Sequence, residues 1–279
     1  MVVLLALGSA VAYGISDFVG GTLSRRVSPW TVAVVAQCAS TACVTVLALS
    51  TGGDPTSRDL AWGVVAGLGN GIGGVFLYRG LANGRMAVVA PVSAVGAALL
   101  PVVVGVVSGE RPSAVTWLGV ACAFPAIWLV SRAPDPEAAA EPERSSGLLD
   151  GLVAGLGFGL LFAALGQVPD TAGLRPLALT QATSVLAIVA LATVLRQAWL
   201  PRERYAYRAL YIGGLGALAT TLFLLASQAG LLSVASVLAS LYPAVTVLLA
   251  VMLLRERIHR PQAVGLVLAL SAVVLVAAG

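Results

Sequence analysis

Asp17 is the residue whose type and position most clearly suggest chemistry. It lies inside an apolar N-terminal run, about eight residues and so roughly 12 Å along a helix from Arg25. A carboxylate among apolar groups is costly unless it takes up a proton or meets a cation. The position therefore indicates a proton-carrying or cation-binding group, and an ion pair with Arg79, Arg25 or Arg26 is the structural alternative.

Other polar residues stand within apolar runs, where their side chains could line a cavity together with Asp17. The predicted substrate- and proton-binding residues are Asp17, Tyr13, Asn70, Tyr78, Arg79, Gln228, Ser240 and Tyr242. Two further amides, Gln37 and Gln181, occupy similar places in their own runs. For these two we favour a hydrogen bond between helices, which contributes about 0.6–2 kcal/mol inside a membrane.

Metal and enzyme chemistry find little support in the remaining residues. Cys38, Cys43 and Cys122 lie in apolar runs without the spacing of a metal site, and His259 stands among arginines in a hydrophilic turn. The sequence contains neither a cluster of His, Asp, Glu or Cys nor a phosphate-binding glycine motif. We therefore predict no enzyme activity, no metal and no cofactor.

The composition indicates which elements position these residues. Hydrophobic residues make up 59% of the 279 residues and charged residues 10%, whereas a soluble domain has roughly 25% charged residues. About 20 apolar residues suffice for a helix that spans a bilayer, so the long apolar runs predict ten spans. They cover residues 2–23, 29–50, 59–78, 86–107, 113–132, 148–167, 176–196, 209–228, 233–254 and 262–279.

The two halves of the chain resemble each other across a polar segment at 131–147. One ungapped register pairs Gly84 with Gly230, Val88 with Val234, Ala98 with Ala244, Glu110 with Glu256, Arg111 with Arg257 and Gly119 with Gly265. We interpret the Glu-Arg pairs as surface ion pairs and helix caps. Five spans per half is an odd number, so the second half must enter the membrane from the opposite side. The predicted fold is an all-α integral membrane protein of ten transmembrane helices in two inverted five-helix repeats, at 1–133 and 148–279, joined by a linker at 134–147.

A set of short motifs occurs in a fixed order along these spans. They are Tyr13-Gly14, Ala90-Pro91, Ser93, Gly109-Glu110-Arg111, Ser240-Leu241-Tyr242-Pro243 and Arg255-Glu256-Arg257. Together they resemble the EamA-type members of the drug/metabolite transporter superfamily over essentially the whole chain. The resemblance implies a secondary transporter in the plasma (inner) membrane that exports a small metabolite, amino acid or organic cation by alternating access, and Asp17 makes proton coupling the expected drive.

A channel or passive facilitator and a non-transporting membrane scaffold are the alternative functions. The expected partners are a small-molecule substrate and membrane lipid, and a homodimer is left open. Nucleic acid is not expected, because the 16 arginines lie between apolar stretches and form no single basic face.

The arginines also bear on orientation in the membrane. Loops after the odd-numbered spans carry 13 of them, against 3 on the other side, namely Arg58, Arg111 and Arg175. Cytoplasmic loops are enriched in positive charge, so this distribution predicts external termini. The resemblance implies cytoplasmic termini, and both orientations stay open.

Overall fold

The computed structural model describes residues 1–83, 86–130, 147–254 and 259–279, and the regular structure in these ranges is helical, without a strand. The α-helices are α1 (Val2–Ser24), α2 (Pro29–Ser50), α3 (Ser57–Asn83), α4 (Met86–Val107), α5 (Ala114–Val130), α6 (Leu148–Leu165), α7 (Arg175–Val194), α8 (Ala209–Gln228), α9 (Leu232–Ala239), α10 (Tyr242–Leu254) and α11 (Arg260–Ala278). Within the described ranges, seven helices are long and apolar enough to cross a membrane, and three further apolar helices are shorter. The predicted helical positions are confirmed, whereas the number of crossings stays a prediction.

The ninth predicted span is the one place where a single helix was expected and two are found. Helix α9 ends at Ala239 and α10 begins at Tyr242. Pro243 in the first turn of α10 lacks a backbone N–H, and its ring would collide with the carbonyl of Ala239 in a continuous helix. The chain therefore makes a tight turn at 240–241, in which Ala244 N donates to Leu241 O at 2.9 Å.

The helices of the two halves pack against each other in a symmetric pattern. Helix α3 packs along α6 and α7, as α8 packs along α1 and α2. Likewise α4 contacts α6 as α9 and α10 contact α1. The pairs α2 with α7, α5 with α11 and α4 with α9 are their own counterparts. This exchange of partners is what a two-fold relation between the halves produces. Of the predicted linker, only Gly147 lies within the described residues, so the boundaries stay predictions.

Glycines let α3 approach α7 at backbone distance. A Cβ at Gly63 or Gly67 would lie 2.5 Å from a carbonyl oxygen of α7, so no side chain fits at either position. The hydroxyls of Thr180 and Ser184 use this proximity and donate to Gly63 O at 3.0 Å and Gly67 O at 2.9 Å. Small residues at helix interfaces in lipid favour such close packing, and it fixes α3 and α7 around the centre of the protein.

Glu110 joins the two halves at the turn between α4 and α5. Its carboxylate accepts hydrogen bonds from the first amides of α9, from Leu232 N and, at 3.0 Å, from Ser233 N. The preceding Gly109 has a φ of +99°, a conformation that glycine adopts without strain. Glu110 is thus a helix cap, as predicted, but it caps a helix of the other half. Residues 255–258, which include the predicted Glu256 and Arg257 pair, lie outside the described residues.

Candidate functional site

A cavity in the helix bundle is lined by helices of both halves. Its volume is about 60 Å³, counted as space open to the centres of water-sized molecules, which is room for about four or five waters. The side chains that give it polar character come from α1, α2, α3, α7 and α8, and they are Tyr13, Ser16, Asp17, Gln37, Ser40, Asn70, Tyr78, Gln181 and Thr220. Four of the eight residues predicted for substrate or proton binding line this cavity, namely Asp17, Tyr13, Asn70 and Tyr78.

Asp17 lies between this cavity and a smaller one beside it. The second cavity is lined by Tyr13, Asp17, Phe158, Phe162 and Tyr242, so the half-buried carboxylate borders both spaces. Among the described residues, no side chain or backbone amide hydrogen-bonds Asp17, and no arginine forms an ion pair with it. A carboxylate so placed must be neutralised by a proton or by a cation that enters the cavity.

Arg79, the first-named candidate for an ion pair with Asp17, bonds a different acid. Its Nε and Nη2 both donate to Asp150 Oδ1, at 2.9 Å and 2.5 Å, and its guanidinium lies 4.3 Å from the centre of the Phe76 ring. Arg79 does not line the cavity, and its role in substrate or proton binding stays a prediction. The sequence did not single out Asp150. Its position in the first turn of α6, where the helix dipole stabilises a carboxylate, is the signal that could have identified it.

Tyrosine side chains form the aromatic wall around Asp17. The Tyr13 ring lies 5.9 Å from that of Phe162 and 6.3 Å from that of Tyr242, between ring centres, and the Tyr13 hydroxyl is buried without a hydrogen-bond partner. The Tyr242 hydroxyl lies 3.2 Å from Ser93 Oγ. This wall offers ring faces and hydroxyls but no positive charge.

A network of amides and hydroxyls forms another part of the cavity wall. Gln181, which is fully buried, receives hydrogen bonds at Oε1 from Gln37 Nε2 and, at 3.2 Å, from Asn70 Nδ2. Its own Nε2 donates to Thr220 Oγ1 at 2.8 Å, and Asn70 Nδ2 also reaches Ser184 Oγ at 3.1 Å. The interhelical hydrogen bond predicted for Gln37 and Gln181 is therefore present. Thr220 and Ser184 were missed, because a hydroxyl within an apolar run gives no signal of its own.

Three predicted residues lie away from the central cavity besides Arg79. Gln228, at the end of α8, donates from Nε2 to Val168 O at 3.3 Å and Pro169 O at 3.2 Å. It therefore links the end of α8 to the loop that follows α6. Ser240 is buried in the turn between α9 and α10 and lines neither cavity. Tyr242 borders only the smaller one. In the described ranges, no three His, Cys, Asp or Glu side chains come together as a metal site requires.

Comparison with known proteins gives a family and a fold. The model of the EamA-like transporter family matches residues 1–132 and 145–278, and so covers almost the whole chain in two repeats. One solved structure, titled "Crystal structure of protein", superimposes with a TM-score of 0.74 at 17% sequence identity, over 99% of this chain and 98% of that chain. At this identity the likeness shows a shared fold alone. No curated protein matches the chain.

Proposed function

Because this chain belongs to the EamA-like transporter family, we propose that it is a proton-coupled secondary transporter of the plasma (inner) membrane that exports a small metabolite, amino acid or organic cation. The single observation that carries the coupling is the Asp17 carboxylate, which borders the central cavity without a counter-charge among the described residues. The binding residues proposed with it are Tyr13, Asn70 and Tyr78.

Exchange at Asp17 follows from the cost of a bare charge in a low-dielectric site. The carboxylate is stabilised either by a proton or by a cationic group of the substrate, and the two compete for the same oxygens. If Asp17 must be protonated or paired with a cation whenever the cavity switches its opening from one side of the membrane to the other, a proton moving one way can be exchanged for a cation moving the other. The tyrosine rings favour this exchange, because their electron-rich faces attract cations.

Alternating access is supported by the symmetric packing of the two halves. Ten crossings in two inverted five-helix repeats would place the cavity at the repeat interface, near the middle of the bilayer. Helices α1, α2 and α3 of the first half and α6, α7 and α8 of the second all contribute to the cavity wall. Rocking of one half against the other would then expose the same residues to each side in turn.

The test is flux through the purified protein in liposomes under an imposed proton gradient. A panel of amino acids, polyamines and cationic drugs is first ranked by thermal shift, since a ligand that binds the folded state raises Tm. Flux of the best compound should depend on the gradient, and Asp17→Asn should abolish it while Tm and size are preserved. Asp17→Glu should retain partial flux with a shifted pH profile, because it keeps the charge but moves it by one methylene.

The matched control is Asp59→Asn, the same chemical change at a buried acid outside the cavity. Asp59 accepts hydrogen bonds from Thr56 N at 2.8 Å and Thr56 Oγ1 at 2.7 Å at the start of α3, so its loss should affect stability and leave coupling intact. Full proton-driven flux in a well-folded Asp17→Asn protein would refute the coupling. Flux that neither saturates nor responds to the gradient would instead indicate a passive facilitator. Protein-free liposomes measure the leak.

A further inference from the structure

The hydrogen bonds around Gln181 determine which atoms of the amide network point toward the cavity. The Thr220 hydroxyl proton is already donated to the backbone, to Gly216 O at 2.9 Å or Ala217 O at 3.2 Å. Thr220 Oγ1 can therefore only accept a hydrogen bond from Gln181. The Gln181 atom that faces Thr220 must be Nε2, and Oε1 must face the other way.

The same reasoning orients the two amides that meet Gln181. Because Gln181 Oε1 only accepts, both Gln37 and Asn70 must present their NH₂ groups to it. Asn70 is fixed a second time by Ser184, whose hydroxyl proton is donated to Gly67 O or Thr180 O, each at 2.9 Å. Both N–H groups of Asn70 are thus used within the protein, and Gln37 and Gln181 each donate one N–H to the network.

Two oxygen atoms are left over by this arrangement. Gln37 Oε1 and Asn70 Oδ1 accept no hydrogen bond from a described residue, and neither is among the sealed polar atoms without a partner. Both are therefore open to the cavity that their side chains line. Together with the Asp17 carboxylate, which borders the same cavity, these two oxygens offer hydrogen-bond acceptors to a ligand, and none of the described residues that line the cavity carries a positive charge.

We propose that the site selects cations that carry N–H groups, primary ammonium or guanidinium, over quaternary ammonium ions, with Gln37 Oε1 and Asn70 Oδ1 as the acceptors that discriminate. The inference rests on the proposed function, in which Asp17 supplies the charge. A quaternary ion satisfies Asp17 by charge alone and leaves the two amide oxygens desolvated and unpaired. An ammonium or guanidinium group satisfies the carboxylate and the amide oxygens together.

Thr220 acts in this scheme as a positioning residue. It does not need to touch the ligand, because its role is to hold Gln181 in the orientation that turns the Gln37 and Asn70 oxygens outward. Without the Thr220 oxygen, no acceptor holds Gln181 Nε2 on that side, and the amide can rotate to turn its NH₂ group toward Gln37 and Asn70. Gln37 and Asn70 would then turn their own NH₂ groups to the cavity, where these groups repel a cation.

Two cations of one shape test the proposal. Neopentylammonium and ethyltrimethylammonium share the same branched skeleton of heavy atoms and the same charge, and differ in the exchange of one nitrogen with one carbon. Only the first has N–H groups. By titration calorimetry on the purified protein, neopentylammonium should bind at least about tenfold more tightly, as expected for hydrogen bonds to a charged group. Equal affinities would overturn the proposal.

Variants then assign the discrimination to the network. Asn70→Leu and Thr220→Val should each reduce the affinity ratio at least about threefold, mainly by weakening neopentylammonium binding. The control is Thr221→Val, the same substitution at the next residue, whose hydroxyl donates only to Ala217 O within its own helix at 2.7 Å; its ratio should equal the wild-type ratio. A ratio unchanged in both Asn70→Leu and Thr220→Val would contradict the assignment.

Failure here differs from failure of the proposed function. If both cations bind equally and Asp17→Asn abolishes both, the proton-coupled transport of cations stands and the N–H selectivity is wrong. If neither cation binds the wild-type protein, the substrate class is wrong, and gradient-driven flux of the other panel compounds decides the proposed function.

Discussion

Asp17 and Asp150 are acids in the same helix bundle, but their surroundings differ. Asp150 lies in the first turn of α6, where the helix dipole stabilises its charge, and it receives two hydrogen bonds from Arg79. Asp17 lies in the C-terminal half of α1, bordered by two cavities and by tyrosine rings, and no described arginine pairs with it. The charge of Asp150 is balanced by Arg79 inside the protein, whereas that of Asp17 has to be balanced by a proton or cation that enters the cavity. This contrast is why Asp17 is proposed as the exchange site and Asp150 as part of the framework.

The largest expected effect is the pH dependence of cation binding. In the proposed site, neopentylammonium needs the ionised form of Asp17 and protons compete for that form, so affinity should fall as the pH falls. Over the pH range in which the free carboxyl is protonated, each unit decrease in pH should raise the apparent Kd about tenfold, and each bound cation should release one proton. Calorimetry in two buffers of different ionisation enthalpy measures both. Affinity that does not vary with pH in the wild type would show that Asp17 is not part of the binding site. The control is Asp150→Asn, whose affinity should vary with pH as that of the wild type does.

An intermediate effect is expected on stability when the framework acid is changed. Asp150→Asn leaves the partly exposed Arg79 guanidinium without its carboxylate, so the folded state should lose about 1–3 kcal/mol and Tm should drop. Arg79→Gln in the same chain should recover part of that loss, because the unpaired charge is gone. Thermal unfolding in detergent measures all three proteins. If Asp150→Asn keeps the wild-type Tm but loses proton coupling, the roles assigned to the two acids are reversed.

The smallest effect is the coupling between Asp17 and Arg79. Since Arg79 bonds Asp150, the changes in stability caused by Asp17→Asn and Arg79→Gln should add to within about 0.5 kcal/mol in the double variant. Restoration of the Asp17→Asn protein by Arg79→Gln would instead support the ion pair that the sequence left as an alternative.

Sequence alone was sufficient to locate the helices, apart from the break between α9 and α10, and to single out Asp17 as an acid within an apolar span, while the role of Asp17 stays a prediction. A run of uncharged residues long enough to cross a bilayer has few other solutions in lipid, and a lone acid in such a run is conspicuous. The choice of Arg79 between Asp17 and Asp150 depends on which face of α3 meets α6, and apolar runs with little amphipathic pattern do not reveal that face. The position of Gln228 away from the cavity could not be foreseen either, because a shift of one residue decides whether the side chain at a helix end faces a cavity or a loop.

The orientation of the amide network is beyond sequence reasoning for a further reason. Gln181, Asn70 and Thr220 are far apart in the chain, and each could be satisfied by many partners. The inward or outward direction of an amide oxygen follows only when every donor and acceptor around it has been counted. Thr220 in particular resembles its neighbour Thr221 in sequence, and the two differ only in what lies across the helix interface.

The cap that Glu110 places on α9 has a consequence for the conformational equilibrium. A motion that withdraws the turn between α4 and α5 from α9 must break both hydrogen bonds to the carboxylate, each worth about 1.5–3 kcal/mol when a charged group accepts it. Opening at this end of the protein is therefore a minor state unless a ligand binds the opened form more tightly. A ligand that prefers the opened form by a hundredfold offsets about 2.7 kcal/mol, roughly one of the two bonds. Substrate occupancy and the population of the opened form would then rise together.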